Sequence, residues 1–434
     1  MRQDPGKIVG SVGSITLIYL IVLLIRAANA LFIYSLSIGY TITAYLQGII
    51  QGVYSLTEGF SGFLGGLIYD RLGPSKTLTI ASLLIVFAYS LSTTIYMTHI
   101  DPSDLIFPQI IAGLSAALLV TSSIALIAEE TYGVSTRRRL FGVGGLEISN
   151  LSGYVVGFLI AALIEIFAPF LMRGFIPSLI LTLLALALSI SLSTRVKEIR
   201  LLHERQAQRL FFYVEKRSLY LVPMWLGVSI ILGVAFISVK ILRDLLSGVE
   251  SYKHIGSVES SHGLSLYMVL AVVLLSIGIL FGSYLSSVFG KTRSLLVGLL
   301  ATPVAMISLG YYINKTISMG ITFSVTNIKR ILMTPEISVS LALMIIGASL
   351  ALMLPPSLLA LLADFTDASR IRGLSSGIYV TSLGVGIFVG NVVGGYIFTY
   401  YGLINLTIIL SIIFTPLGLA TYFLVKRSFE GSRS

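Results

Sequence analysis

Long apolar runs make up most of the chain, and they constrain its fold more than any other feature. The longest of them, residues 373–425, contains no Asp, Glu, Lys or Arg. A helix that crosses a bilayer needs about 20 mostly apolar residues. Only 11% of the 434 residues are charged, compared with about 25% in an average soluble domain. The sequence therefore excludes a cytosolic enzyme and a disordered chain, and it predicts an integral membrane protein.

Charged residues and turn residues divide the chain into twelve predicted spans, which indicates an all-α polytopic fold. Ten of the spans occupy residues 8–38, 41–69, 77–97, 105–128, 140–168, 174–194, 218–239, 263–289, 294–314 and 337–363. Tyr400-Tyr401-Gly402 divides the remaining run, 373–425, into two more. Arg2 and Lys7 precede a long span and not the short apolar region of a cleavable signal peptide.

The positive residues predict the orientation of these spans. If the N-terminus is cytoplasmic, most of the 29 Lys and Arg residues fall in cytoplasmic segments, as the positive-inside rule requires. We therefore expect a multi-pass protein of the plasma membrane with both termini in the cytoplasm. The formal net charge of +10 then reflects membrane orientation and predicts no nucleic-acid partner.

The densest run of charges divides the chain into two halves. This run, residues 193–217, follows the sixth span and predicts a cytoplasmic linker. The linker would join an N-terminal six-helix bundle, residues 1–192, to a C-terminal six-helix bundle, residues 218–434.

The two halves also repeat short patterns. Gly73 and Lys76 follow the second span, and Gly290 and Arg293 follow the eighth span at the same spacing. An acid precedes a base by eight residues after the fourth span and again after the tenth span. These residues are Glu129 with Arg137 and Asp364 with Arg372. A parallel repeat of six plus six helices is typical of transporters whose halves rock around a central site.

The segment GLIYDRLGPSK after the second span resembles the signature loop of the major facilitator superfamily, G-x-x-x-D-R-x-G followed by basic residues. Gly66, Asp70, Arg71 and Gly73 match this pattern, and Lys76 stands near the usual basic pair. The resemblance extends over the whole chain through the span count, the linker and the repeat. It implies a secondary transporter in which two pseudo-symmetric six-helix bundles expose a cavity alternately to each side of the membrane.

The resemblance also implies an inner gate on the cytoplasmic side. Asp70 would accept hydrogen bonds from the amides at the start of the eleventh span and so latch the outward-facing state. The pairs Glu129 with Arg137 and Asp364 with Arg372 would supply exposed ion pairs that break easily. The alternative is a tight turn with charges that only set the topology.

The eleventh span contains the pattern G377-x8-G386-x3-G390-N391-x2-G394-G395. It resembles the glycine pattern of antiporters in the superfamily, but Asn391 replaces a proline and the family places the pattern on the fifth span. Close helix packing through small residues explains the pattern about equally well.

A few polar residues inside the spans are candidates for the cavity. Arg26 follows Lys7 by about 28 Å of helix, and Glu58 precedes Asp70 by about 18 Å, so both lie near the middle of the membrane. Ionisable groups at this depth face protein or water. We expect Arg26 and Glu58 to pair or to share the cavity, either as a proton-coupling site or as a structural ion pair. The further candidates are Asn29, Glu147, Asn150 and Asn391.

These features predict a transporter and not an enzyme. The expected partners are a small organic solute, protons as the coupling ion and the lipid bilayer, and the protein is expected to act as a monomer. Proton-coupled efflux is the first hypothesis. Proton-coupled uptake of a sugar or an organic acid is the second, and a membrane-embedded lipid enzyme or sensor is the third. The four histidines lie singly and the chain has no cysteine, so we expect no metal site and no cofactor.

Overall fold

A computed structural model describes residues 12–40, 42–130, 136–167, 175–195, 216–247, 288–319, 333–358, 361 and 372–430, with scattered positions in 273–286. The regular elements of these residues are helices. The α-helices considered below are α1 (Val12–Gly39), α2 (Ala44–Leu72), α3 (Pro74–Met97), α4 (Ile106–Glu130), α5 (Thr136–Phe167), α6 (Ile176–Arg195), α7 (Val222–Phe236), α8 (Ser238–Ser247), α9 (Lys291–Ser318), α10 (Pro335–Ala351) and α11 (Arg372–Glu430). Two short 3-10 helices, Pro102–Leu105 and Lys216–Leu221, precede α4 and α7.

The predicted twelve spans agree with these helices. Eight helical stretches of the described residues are long and apolar enough to cross a membrane. The longest, Tyr379–Ser428, contains two spans, because Gly402 has the non-helical angles φ 79° and ψ 179° and divides α11 into two arms. The helices α2 and α5 and the scattered helical positions in 273–289 complete the set. The all-α fold and the division at Gly402 are therefore confirmed.

The chain forms two compact units with matching helix contacts. In the first unit α1 packs on α5 and α6, and α3 packs on α4 and α6. In the second unit α7 and α9 pack on α11, and α9 packs on α10. Among the described residues, the first unit contains 12–40 and 53–195, and the second contains 42–52 and the residues from 216 onward. The predicted boundaries around the linker stay a prediction, because residues 196–215 lie outside the described chain.

Two turn glycines repeat their conformation in the two units. Gly73, between α2 and α3, has φ +77°, and Gly290, before α9, has φ +81°. Gly73 donates its amide to the Tyr69 carbonyl at 2.8 Å, and Gly290 donates to the Ser286 carbonyl at 3.0 Å. Glycine is favoured at both places because other residues rarely adopt a positive φ. The repeat seen in the sequence therefore has a conformational basis.

Gly386 and Gly390 of the eleventh-span pattern have counterparts at the same spacing on α5, Gly153 and Gly157, and the two pairs pack in the same way. A Cβ at Gly157 on α5 would lie 2.5 Å from the Ala27 carbonyl oxygen of α1. A Cβ at Gly390 on α11 would lie 2.0 Å from the Ile230 carbonyl oxygen of α7. Gly157 thus brings α5 against α1, and Gly390 brings α11 against α7. Close packing therefore accounts for the pattern, and antiport stays a prediction.

The start of α2 packs along α11 within the second unit. Ala44 and Gly48, one turn apart on α2, meet Gly395 and Asn391 of α11 in reverse order. A Cβ at Gly48 would lie 2.1 Å from the Asn391 carbonyl oxygen, and one at Gly395 would lie 2.5 Å from the Ala44 carbonyl oxygen. Small residues at four-residue spacing therefore allow the two backbones to touch.

An amphipathic helix, α8, follows the seventh span. Its apolar side packs on protein, because Val239 is fully buried and Ile241 is 6% exposed. Lys240 on the same helix pairs with Asp244, one turn later. This helix is therefore integrated into the second unit.

Candidate functional site

Six polar side chains of the first unit come together from three helices. Each helix supplies two of them, separated by three or four residues, so that both lie on one face. The helix α1 supplies Arg26 and Asn29, α2 supplies Tyr54 and Glu58, and α5 supplies Asn150 and Tyr154. We refer to these six residues as the Arg26 cluster.

Arg26 is the centre of this cluster, and its guanidinium reaches partners on α2 and α5. Its Nη2 donates to Glu58 Oε1 at 2.7 Å, its Nη1 donates to Tyr54 Oη at 2.9 Å, and its Nε donates to Asn150 Oδ1 at 2.7 Å. The Arg26 side chain is 8% exposed and that of Glu58 is 19% exposed. The pair is thus a buried ion pair in which the acid is more accessible than the base.

Glycines set the approach of the helices that carry the pair. A Cβ at Gly153 on α5 would lie 2.6 Å from the Cβ of Arg26, and one at Gly113 on α4 would lie 2.4 Å from the Tyr54 carbonyl oxygen. Real Cβ atoms do not approach other atoms so closely, so neither helix could take these positions with a larger residue. The glycines of α4 and α5 therefore bring the helices together beside Glu58 and Arg26.

Two further hydrogen bonds extend the polar contacts along α1 and α5. Asn29 Nδ2 donates to Tyr154 Oη at 3.2 Å. Tyr34, five residues further along α1, donates its hydroxyl to Glu165 Oε1 on α5, and Glu165 is 3% exposed. The first unit therefore contains a second buried carboxylate beyond the Arg26 cluster.

The electrostatics of the cluster depend on the protonation of Glu58. With Glu58 ionised, the Arg26–Glu58 pair is neutral, and each of the two buried charges compensates the other. Protonation of Glu58 would leave the Arg26 charge without its counterion. A proton and any ligand of the Arg26 guanidinium are therefore linked through this one carboxylate.

The residues of the predicted signature loop lie where the sequence places them along the chain. Gly66, Asp70 and Arg71 lie in the last turns of α2, and Arg71 is exposed. Gly73 forms the turn, and Lys76 lies exposed in the first turn of α3. The side chain of Asp70 is outside the description, so the latch stays a prediction.

The predicted inner-gate pairs are described only in part. Glu129 is the last residue but one of α4. Arg137 lies in the first turn of α5, and Arg372 is the first residue of α11. Their side chains lie outside the description, as does that of Glu147, and Asp364 lies outside the described residues altogether. The roles of these residues stay predictions.

The second unit has a serine of α7, Ser229, at the position that corresponds to Arg26. Gly386 corresponds to Gly153, and its Cβ would lie 2.4 Å from the Cβ of Ser229. Ser229 donates its hydroxyl to the Trp225 carbonyl oxygen of its own helix. The ion pairs of the described residues in this unit, Lys240–Asp244 and Lys315–Glu336, lie elsewhere.

Asn391 lies in the second unit, apart from the other candidate asparagines. It is fully buried in the contact of α11 with the start of α2. Neither its Nδ2 nor its Oδ1 has a hydrogen-bond partner. Gln51, on the same part of α2, is 5% exposed and also has two unpartnered side-chain atoms. A buried amide without partners requires an explanation, such as a bound water or a second conformation.

Sequence reasoning missed the two tyrosines that complete the Arg26 cluster. Tyr54 precedes Glu58 by one turn, and Tyr154 follows Asn150 by one turn. A spacing of four residues places each tyrosine on the same helix face as a candidate residue, and this was the signal that could have identified them. In the part of the chain that the structure describes, no group of three or more His, Asp or Glu side chains is arranged to hold a metal ion.

Comparisons with known proteins agree with this architecture. The sequence profile described as "Major Facilitator Superfamily" matches residues 15–328. A crystal structure of a single-substitution mutant of the nucleoside transporter NupG superposes with a TM-score of 0.67 at 12% identity and covers 96% of this chain and 100% of that one. A second NupG structure gives a TM-score of 0.65 at 11% identity and covers 96% and 99%. No curated protein matches the sequence.

Proposed function

The chain belongs to the major facilitator superfamily, and from this premise we propose that it exports a small organic solute in exchange for protons. The coarser part of this statement, secondary transport across a membrane, follows from the family and the fold. The finer part is supported by one observation, the buried Arg26–Glu58 pair with its more accessible carboxylate. In this proposal Glu58 carries the proton.

Competition for Glu58 would couple the two movements. A solute with hydroxyl or N–H groups would bind the ionised carboxylate of Glu58 and the hydroxyl of Tyr54, which already contacts Arg26 at 2.9 Å. A proton on Glu58 removes the charged acceptor, and charged acceptors make the stronger hydrogen bonds. Solute and proton would therefore occupy the site in turn, and this alternation is the requirement for exchange.

The polarity of the site favours an uncharged or weakly charged solute. The Arg26–Glu58 pair is neutral, and the other members of the cluster are two tyrosines and two asparagines. Such groups exchange hydrogen bonds with a polar neutral molecule and leave no buried charge without a partner. Nucleosides belong in the first panel of compounds, because they are neutral and NupG is a nucleoside transporter.

Reconstituted protein tests the proposal. Liposomes that contain the full chain and a pH-sensitive dye are challenged with nucleosides, sugars, organic acids and amphipathic compounds under a pH gradient in each direction. We expect at least one solute to move protons in the direction opposite to itself. If no compound responds to either gradient, the proposal of secondary transport by this site is rejected.

Variants then assign the coupling to Glu58. Glu58→Gln should abolish proton movement driven by the solute, because the amide cannot take up the proton. It should also weaken solute binding, because the charged acceptor is lost. Asp104→Asn changes an exposed carboxylate outside the cluster and should match the unmodified protein. Full proton coupling in Glu58→Gln would remove Glu58 from the mechanism.

Arg26 supports a second candidate function, proton-coupled uptake of an organic acid. Protonation of Glu58 would release the Nη2 of Arg26, which now donates to Glu58 at 2.7 Å, and a solute carboxylate would take its place. The two candidates predict opposite effects of pH. Binding of the solute weakens as the pH falls in the exchange mechanism, and it strengthens in the uptake mechanism. Equilibrium binding at several pH values distinguishes them.

A further inference from the structure

A groove between α9 and α10 lies on the surface of the second unit. It has a volume of about 520 Å³, and its lining includes Ile307, Tyr311, Glu336, Val339 and Leu343. The groove lies near the end of α9 and the start of α10. On the predicted topology this end of both helices lies toward the outer leaflet.

The walls of the groove are apolar and exposed. Ile307, Val339 and Leu343 are 44–58% exposed, and the helices that carry them are apolar enough to span a membrane. On the predicted topology, these exposed apolar side chains face lipid tails. The groove therefore has the shape and the polarity to hold an acyl chain.

One end of the groove has a pair of opposite charges. Lys315 Nζ lies 2.7 Å from Glu336 Oε2, and their side chains are 32% and 58% exposed. The Tyr311 hydroxyl donates to the same oxygen of Glu336 at 3.4 Å. Exposed ion pairs exchange their partners readily, because water and other ions compete for both charges.

We propose that this groove binds a phospholipid with a zwitterionic amine headgroup, such as phosphatidylethanolamine. Lys315 contacts the phosphate, Glu336 contacts the ammonium group, and an acyl chain lies along Val339 and Leu343. Glu336 determines which headgroup the groove prefers. An anionic lipid would satisfy Lys315 but would place its own charge beside the Glu336 carboxylate.

Lipid retention by the full-length protein tests this proposal. The protein is placed in nanodiscs of equal parts phosphatidylethanolamine and phosphatidylglycerol with identical acyl chains. It is then extracted in mild detergent, and the bound lipid is quantified by mass spectrometry. We expect phosphatidylethanolamine to be enriched over phosphatidylglycerol roughly five-fold, the typical contribution of one charge contact at a membrane surface. Equal retention of the two lipids, or enrichment of the anionic lipid, overturns the proposal.

Three variants separate the headgroup contacts from the groove. Glu336→Gln should bring the ratio of the two lipids close to one, and Lys315→Ala should lower the retention of both. Val339→Asp places a charge in the path of the acyl chain and should remove both lipids. Lys291→Ala changes an exposed lysine at the opposite end of α9 and serves as the matched control. An unchanged lipid ratio in Glu336→Gln, with elution and thermal stability as in the unmodified protein, overturns the headgroup assignment.

Discussion

Removing one partner of the Arg26–Glu58 pair should cost far more stability than removing both. Glu58→Gln leaves the Arg26 charge 8% exposed, beside the neutral partners Tyr54 and Asn150. Breaking a buried pair in this way costs about 3–5 kcal/mol. Arg26→Gln should cost less, because Glu58 is 19% exposed and can take up a proton. The double variant with two glutamines retains hydrogen bonding and leaves no unpaired charge.

The size of the effect follows from the geometry. At 2.7 Å the attraction between the charges is roughly 6 kcal/mol at an effective dielectric constant of 20. The cost of removing both charges from water offsets most of that gain. The free energy of unfolding of the double variant should therefore lie within about 1 kcal/mol of that of the unmodified protein.

Thermal unfolding of the purified protein in detergent checks this order. With about 2–4 °C per kcal/mol for a unit of roughly 200 residues, Glu58→Gln should lower the midpoint by at least about 6 °C. Arg26→Gln should lower it less, and the double variant should recover most of the loss. If the double variant is as unstable as Glu58→Gln, an unpaired charge is not the cause of the loss. Wild-type midpoints in both single variants would refute the buried pair itself.

Three further predictions concern packing and the signature loop. In unfolding and transport assays, Gly153→Ala should lower stability by about 1–3 kcal/mol through overpacking and should reduce transport. The control Gly39→Ala should change neither, because its Cβ meets no atom closer than 3.6 Å. Gly48→Ala should similarly cost about 1–3 kcal/mol, because its Cβ would lie 2.1 Å from the Asn391 carbonyl oxygen; unchanged stability would contradict the close contact. Asp70→Asn should keep normal expression but reduce transport in proteoliposomes, and full transport would contradict the proposed latch.

Sequence reasoning predicted the fold and part of the site because both leave local signals. The span count follows from the length of the apolar runs, and the break at Gly402 follows from a glycine after two tyrosines. The meeting of Arg26 and Glu58 follows from their similar depth in adjacent helices, since an ionisable group in a membrane needs a partner or water. The structure places the two side chains in contact, and the role of the pair in coupling stays a prediction.

Other parts of the site could not be predicted because tertiary packing decides them. Tyr54 and Tyr154 are two of 22 tyrosines, and a tyrosine in an apolar helix does not show by itself whether it faces lipid or a polar partner. Their positions beside Arg26 depend on two close helix contacts. Gly113 brings α4 against α2, and Gly153 brings α5 against α1. Likewise, the amphipathic pattern of α8 predicts a helix, but it does not distinguish a lipid surface from the protein surface on which Val239 is buried.

The two units share a packing pattern but differ in chemistry at equivalent positions. Gly153 meets Arg26, and Gly386 meets Ser229, so the same helix contact surrounds an ion pair in one unit and a hydroxyl bonded to its own helix in the other. A repeat keeps the geometry that close packing needs, but it does not require the same side chain at the contact. A charge inside the membrane costs stability, and among the described residues the Arg26–Glu58 pair occupies only one of the two equivalent places. The corresponding place in the second unit then provides packing, where a serine bonded to its own helix avoids that cost.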